Sequence, residues 1–277
     1  MNLKSTIADQ RSNAEPDAKG YYTGSDGAKY AKLTAAISDE GSTYGMNIAG
    51  NGTVMKNGVE YYFKVEPIKW RVLYEANGET LIVAHNILTA MAYQDDSTIT
   101  GAPEGTYQSN YYYSDLRAYL TGDFYNAAFT TAEQNQILVT TVDNSGVLTV
   151  NDYNIRENEY GCENTNDKVF ALSGNELYEA RYGMVESNDA VRYYATTDYA
   201  KASGAWTLTK QYVESELVEV GSAALAEILY PMIGAGLSWS RTPTAPGMVI
   251  QNFLASLDSA MVIEKTGGVV PAMNISR

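Results

Sequence analysis

The chain has 277 residues, 45% of them hydrophobic, and a formal net charge of −14. This predicts a folded domain with a sizeable core, alone or with an extension. The acidic balance argues against nucleic acid and anionic membranes as partners, because both need basic patches, and no apolar run approaches the roughly 18 to 20 residues of a membrane span.

Residues 1–45 are predicted to be an N-terminal extension, followed by a main domain over residues 46–277. The first twenty residues are polar and lack the apolar segment of a signal peptide. Ser25 is a candidate N-cap for a short helix from Ala28 to Ile37. The extension either packs on the main domain or attaches the chain to a partner.

The signal changes to β-structure after residue 53. Asn-Gly pairs at 57–58 and 77–78 are typical of hairpin turns, and apolar and polar side chains alternate between them. We therefore predict a three-stranded antiparallel meander over 59–88. His85, the single histidine, lies in the last strand-like run, where a packed or edge residue is more typical than a catalyst.

A long polar loop over residues 93–113 ends in three consecutive tyrosines, Tyr111, Tyr112 and Tyr113. Ser114 then has the properties of an N-cap, and apolar residues at helical spacing predict a helix through residue 129. A second short helix is expected to begin at Thr130 or Thr131.

Residues 140–167 are rich in asparagine, aspartate and glutamate. Such oxygen ligands suit Ca²⁺, but the spacing does not match an EF-hand, and a solvated acidic loop is the alternative. Cys162 is the single cysteine, which excludes an internal disulfide and cysteine-based zinc sites. The acidic and amide residues are Asp143, Asn144, Asn151, Asp152, Asn154, Glu157, Glu159, Glu163, Asn166 and Asp167.

Between residues 168 and 236 the sequence shows both strand and helix signals. KVFALS (168–173) is typical of a buried strand, and the spacing of Ser173 and Glu176 predicts a capping box that opens a helix. A further helical segment is expected over 187–204. Residues 210–236 contain an apolar helical stretch interrupted by proline, which we interpret as a packing insertion.

The last stretch, 237–277, contains Trp239, Arg241, a proline-rich turn and two apolar strand-like runs. We predict that Trp239 and residues 268–275 belong to the scaffold that closes a sheet. The residues between, 244–265, are where contact with another molecule is expected, although they are unusually apolar.

Several blocks resemble, in order, a bacterial domain family of unknown function that is common in surface and secreted proteins of anaerobic gut bacteria. The family shows a "PIxWRVL" strand, an "LLxSxxIL" strand, an "SxLRxWLN" helix, a "DKVFLLS" strand, a "YAK..G" block and a closing "WWLRSP…GVRPAL" pair. The corresponding residues here are 67–73, 81–88, 114–129, 167–173, 199–204, 238–243 and 268–273. Three departures are the single Trp239, Val270 in place of the family arginine, and extra sequence over 212–236.

The closing pair is also similar to the end of C-type-lectin-like domains, including the formylglycine-generating-enzyme branch. This resemblance implies an α+β fold in which helices flank a small twisted antiparallel sheet with paired N- and C-terminal strands. Such scaffolds serve in bacterial surface ligand-binding proteins and in phage or bacterial receptor-binding proteins. In the latter a retroelement diversifies the segment that corresponds to residues 244–265 here. The implied location is extracellular, on a cell surface or on a virion.

The first functional hypothesis is a non-catalytic module that binds a protein or a glycan. The chain has 23 tyrosines against 5 phenylalanines, and tyrosine suits recognition surfaces. No catalytic residue, metal ligand or cofactor is assigned, calcium in the acidic loop being the one alternative. For Trp239 and Arg241 a core role is the competing interpretation. The candidate contact residues are Tyr111, Tyr112, Tyr113, Trp206, Trp239, Arg241, Gln251, Asn252 and Asp258.

Two other classes stay open. A structural component of a cell surface or virion would assemble, or form a homo-oligomer, through residues 1–45. An enzyme is the less favoured class: the formylglycine-generating chemistry needs a cysteine pair, and only Cys162 is present. A hydrolase with a carboxylate pair would require two acidic side chains in a cleft with aromatic walls.

Overall fold

The computed structural model describes residues 2–5, 15–37, 44, 46–95, 99–149, 160–184, 189–220, 223–253 and 256–277. Within these ranges the chain has a mixed α/β architecture with several antiparallel sheets and few helices. The broad α+β expectation is therefore confirmed.

Among the described residues the strands form five small sheets, with the orders β1-β4-β3-β2, β10-β9, β11-β7, β14-β13-β12-β15-β8 and β16-β6-β5. The strands are β1 (Asn2–Ser5), β2 (Tyr21–Thr23), β3 (Lys29–Thr34), β4 (Glu60–Glu66), β5 (Trp70–Ala76), β6 (Glu79–Ala84), β7 (Asn86–Ile87), β8 (Thr89–Ala90), β9 (Thr140–Val142), β10 (Thr165–Asp167), β11 (Ala195–Thr196), β12 (Ser238–Ala245), β13 (Met248–Phe253), β14 (Ser256–Met261), β15 (Gly268–Val269) and β16 (Ala272–Ser276).

The helices are short. They are α1 (Asp115–Tyr119), α2 (Tyr125–Ala128), α3 (Thr131–Gln136), α4 (Asp198–Ala202), α5 (Lys210–Val220) and α6 (Ala223–Leu229). A π-helical turn, Leu120–Phe124, joins α1 to α2 into one continuous helical segment. None of the helices in the described part of the chain combines the length and the apolar character that a bilayer crossing requires.

The helix predicted over Ala28 to Ile37 is wrong, because Lys29–Thr34 form β3 in the N-terminal sheet and no helix is present in the rest of this range. Gly27, at φ +77°, makes the turn from β2 to β3, and it follows Asp26 in an Asp-Gly hairpin signal. Tyr22, Tyr30 and Tyr62 then form a buried cluster. This sheet takes strands from both sides of the boundary predicted at residue 45.

The predicted meander over 59–88 is half correct. β5 and β6 form the expected hairpin, with Asn77 at φ 53° and Gly78 at φ 81° in its turn. β4, however, pairs with β1 and β3, and the free side of β6 is occupied by β16. Val83 and Ala84 of β6 are completely buried. The pairing with β16 therefore makes β6 the central strand of its sheet.

The helical segment at 115–128 begins as predicted. Ser114 Oγ accepts a hydrogen bond from the Arg117 N–H, and Leu116 and Leu120 are buried. Thr130 and Glu133 form a capping box at the start of α3, which confirms the second predicted helix. The starts of both helices could be predicted because each N-cap is a contact between residues that are close in sequence.

The segment over 168–204 differs more from the prediction. Ser173 and Glu176 form reciprocal hydrogen bonds, but the chain makes 3₁₀ turns at Glu176–Tyr178 and Ala180–Tyr182 rather than a helix. KVFALS is buried as expected, yet it forms one isolated bridge, from Phe170 to Ala272, instead of a strand. Glu176 also forms an ion pair with Arg241.

The insertion over 210–236 is largely helical, as predicted, and shares a small core with the residues just before it. Leu208, Val213 and Met232 are buried together, and the half-buried Trp206 packs against them. The main core lies elsewhere, between the C-terminal sheets and the helical segment at 115–128.

Candidate ligand-binding site

A cavity of about 370 Å³ lies beside the 3₁₀ turn Tyr111–Tyr113. Tyr112 is 43% exposed, and its ring centroid is 4.7 Å from that of Tyr113. The cavity therefore has two adjacent aromatic side chains in its wall. Its lining residues are Pro103, Thr106, Asn110, Tyr112, Tyr113, Cys162 and Glu163.

Local turns place these side chains. The Thr106 N–H donates to the carbonyl of Pro103 at 3.2 Å, and the Asn110 N–H donates to that of Tyr107 at 3.0 Å. The next turn ends at Ser114, whose Oγ donates to the carbonyl of Tyr111 at 2.9 Å. The polar loop is thus a chain of hydrogen-bonded turns that presents one side to the cavity.

Arg117 positions the exposed tyrosine. Its guanidinium lies 4.9 Å from the Tyr112 ring centroid, and Nη1 donates to the Tyr112 carbonyl at 2.9 Å. Nε and Nη2 bind Asp167, with the shortest distance at 2.7 Å. Asp167 is itself buried and accepts from Thr165 Oγ1 at 2.7 Å. This partly buried ion pair connects the cavity wall to β10.

The cavity offers hydrogen-bonding groups as well as aromatic surface. Oδ1 of Asn110 is buried and accepts no hydrogen bond from any described residue. Thr106 supplies a hydroxyl, and Glu163 is the one acidic side chain among the described lining residues. Burial raises the pKa of the Cys162 thiol above its usual range, so the thiol is protonated at neutral pH and is not primed as a nucleophile.

Tyr111, predicted with its two neighbours as a contact residue, is a core residue. It is fully buried, and its hydroxyl accepts a hydrogen bond from the Ala171 N–H at 3.3 Å. Trp239 is also buried: Nε1 donates to the Met91 carbonyl at 2.8 Å, and the ring makes an edge contact with Tyr93. The core interpretation holds for Trp239, and neither side chain offers surface to a ligand.

Arg241 is 3% exposed and connects three segments. Nη1 donates to Glu176 at 2.5 Å and to the Ala171 carbonyl at 2.6 Å, and Nε donates to the Asp143 carbonyl at 3.1 Å. It lines a second cavity of about 230 Å³, together with Tyr74 and Tyr182. Its first role is to hold the loops that surround the sheet.

The remaining predicted contact residues are dispersed. Gln251 and Asn252 are buried on β13, which has a strand on each side in its sheet, and Asn252 Nδ2 donates to the Arg192 carbonyl at 2.8 Å. Asp258 is exposed on the edge strand β14, and Trp206 is half-buried against Tyr212 near the insertion. Of the predicted set, only Tyr112 and Tyr113 line one described cavity together.

Sequence reasoning missed Thr106 and Asn110, although both lie in the loop that it singled out. A polar loop that leads into consecutive tyrosines was the available signal for them. Cys162 and Glu163 come from a distant part of the chain, and no local pattern connects them to this site.

The calcium hypothesis concerns residues of which the structure describes only a part. Asn151, Asp152, Asn154, Glu157 and Glu159 lie outside the described residues. In the described ranges, no three histidine, cysteine, aspartate or glutamate side chains are grouped closely enough to hold a metal ion. Calcium therefore stays a prediction.

The fold and the first cavity define a mixed α/β domain with an aromatic-lined cavity. This is a structural class, and it does not by itself identify an activity. The chain belongs to a family described as a domain of unknown function, DUF6273, whose profile matches residues 77–277. No curated protein and no solved structure shows a significant match to the chain. The matched region contains every lining residue of the cavity beside Tyr112 and Tyr113 but begins after β4.

Proposed function

We propose that the chain is a non-catalytic ligand-binding module and that the cavity beside Tyr112 and Tyr113 binds a glycan. The observation that carries the proposal is the combination of two adjacent tyrosine rings with a buried, unoccupied acceptor on Asn110. Aromatic faces bind the apolar faces of a sugar ring, and amide, hydroxyl and carboxylate groups bind its hydroxyls.

The charge of the cavity lining limits the chemical class of ligand that fits. Glu163 is an acceptor for sugar hydroxyls and repels carboxylates, and the described lining has no lysine or arginine. A neutral or amino sugar therefore fits better than an acidic one. The Arg117 guanidinium pairs with Asp167 and lies over the Tyr112 ring, so it is not available to bind an acidic ligand.

We further propose, on the resemblance alone, a C-type-lectin-like scaffold in a surface, secreted or virion receptor-binding protein. In the segment 244–265, which the resemblance marks for retroelement diversification, Met261 and Ile263 are exposed whereas Val249 and Ile250 are buried. Diversified positions are expected at the exposed ones. A neighbouring reverse transcriptase with a template copy of this segment would support this part of the proposal, and its absence would count against it.

Glycan-array screening followed by calorimetry tests the site. We expect Tyr112→Ala and Tyr113→Ala each to weaken binding about tenfold or more, because each removes a large aromatic contact worth roughly 1.5–3 kcal/mol. Tyr230→Ala, an exposed tyrosine outside the cavity, is the matched control and should bind normally. A wild-type protein that binds no glycan, or binding that survives both cavity variants, would refute the proposal.

The second cavity supports a weaker candidate, a carboxylate-pair hydrolase. Asp143 and Glu176 both line it, with Tyr74 and Tyr182 among its other lining residues. Oε2 of Glu176 already accepts from Arg241 and from the Ser173 N–H, so this oxygen is not free to act on a substrate. Hydrolysis of nitrophenyl glycosides that disappears in Glu176→Gln would favour this function over simple binding.

The assembly alternative rests on residues 1–45. Deleting them would remove β1, β2 and β3 from a sheet that also contains β4. A deletion would therefore disrupt this sheet, and loss of assembly could not be separated from loss of folding. Analytical ultracentrifugation of the intact chain, followed by charge-reversal of exposed positions such as Lys29, is the appropriate test of assembly.

A further inference from the structure

A third cavity, of about 200 Å³, lies where the N-terminal sheet meets the helical segment at 115–128. It differs from the first two because most of its wall is apolar. One side comes from residues ahead of the family-matched region and the other side from within that region. Its lining residues are Lys19, Tyr21, Ala31, Leu88, Thr89, Tyr119, Asp123, Phe124, Ala127 and Tyr199.

Three tyrosines gather at this cavity. Tyr119 and Tyr199 are half-buried, and no hydrogen bond from a described residue reaches either hydroxyl, so both hydroxyls are available to a molecule in the cavity. Burial raises the pKa of Tyr21 to about 12 and also raises the pKa of Tyr119 and Tyr199. All three are neutral phenols that can donate and accept hydrogen bonds.

The helix changes geometry at the same place. Asp123 and Phe124 line the cavity, and both lie in the π-helical turn Leu120–Phe124. Single π turns within α-helices occur frequently at functional sites, because the extra residue redirects neighbouring side chains. Phe124 and Tyr119 therefore face the cavity region on the two sides of this turn, with their ring centroids 6.1 Å apart.

We infer that this cavity is a second binding site, for a small neutral molecule with an apolar ring and a polar group that hydrogen-bonds to Tyr119 and Tyr199. The volume is below the roughly 300–1,000 Å³ of pockets for drug-sized ligands, so the ligand is a single ring rather than an oligosaccharide. Lys19 and Asp123 carry opposite charges among the lining residues and cancel, which favours a neutral ligand.

The experiment is calorimetric titration of the intact chain with indole, 4-methylphenol and cyclohexanol, beside benzoate and benzylamine as charged analogues. We expect at least one neutral probe to bind and the charged probes to bind at least tenfold more weakly. Ala127→Leu, which fills the cavity, is expected to abolish binding. Tyr119→Phe and Tyr199→Phe are expected to weaken it about three- to tenfold, as loss of a hydrogen bond predicts.

The phenylalanine variants separate binding from folding. Because neither hydroxyl has a hydrogen-bond partner among the described residues, removing it should leave thermal unfolding unchanged. Tyr230→Phe is the control that should alter neither property. The inference is overturned if no neutral probe binds, if charged probes bind equally well, or if binding survives Ala127→Leu. Binding that is lost in Tyr112→Ala instead would assign the probe to the glycan cavity and would also overturn it.

Discussion

Replacing Arg241 with methionine provides a direct test of how the loops around the C-terminal sheet are held. The side chain is 3% exposed and donates to Glu176, Ala171 and Asp143. Methionine fills much of the volume but donates nothing, so a partly buried carboxylate and two carbonyls lose their donor.

Breaking a buried ion pair by removing one partner costs about 3–5 kcal/mol. Glu176 is 26% exposed and keeps its hydrogen bond from the Ser173 N–H, which places the expected loss near the lower end, about 3 kcal/mol. At about 2–4 °C per kcal/mol, the midpoint of thermal unfolding should fall by about 6–12 °C.

Urea unfolding followed by tryptophan fluorescence measures this loss, since Trp239 on the same strand is buried in the folded state. Arg181→Met is the matched control: its side chain is 58% exposed and pairs with Glu179, so we expect a change below about 1 kcal/mol. Adding Glu176→Gln to Arg241→Met should recover part of the stability. A loss below about 1 kcal/mol for Arg241→Met would refute the reasoning.

Three further predictions concern single positions. Tyr21 has its pKa raised to about 12 by burial, so its contribution to stability is present below pH 10 and is lost as the pH rises towards 12; Tyr21→Phe should reduce that alkaline loss in denaturant titrations. Thr130→Ala removes the capping box with Glu133 and should cost about 1 kcal/mol in urea unfolding, whereas no change would show that α3 is held by other contacts. Gly267→Ala would place a Cβ 2.1 Å from the Trp239 ring and should cost about 1–3 kcal/mol; unchanged unfolding would show that the ring can move aside.

Local signals in the sequence predicted local structure well. Ser114, Thr130 and the turn at Asn77-Gly78 all behave as predicted, because caps and two-residue turns depend on neighbours within three or four positions. The error at Ala28 to Ile37 came from reading spaced apolar residues as a helix. The Asp-Gly turn that precedes these residues instead indicates a β-hairpin.

Long-range pairing could not be predicted in the same way. Nothing near β4 indicates that it pairs with β1 and β3 rather than with β5, and nothing near β6 indicates β16 as its partner. The site shows the same limit. Tyr112 and Tyr113 were predicted from composition, whereas Glu163 joins them only through the three-dimensional fold.

The pairing of β16 with β6 also has a consequence for biosynthesis. β16 pairs with β6 and also forms bridges to Ile137 and Phe170. Three segments that are distant in sequence therefore share the same five-residue strand as their partner. During translation these segments leave the ribosome long before their common partner. The edge of β6 that pairs with β16 therefore stays without its final strand partner until residue 276 has emerged, which favours late completion of this sheet.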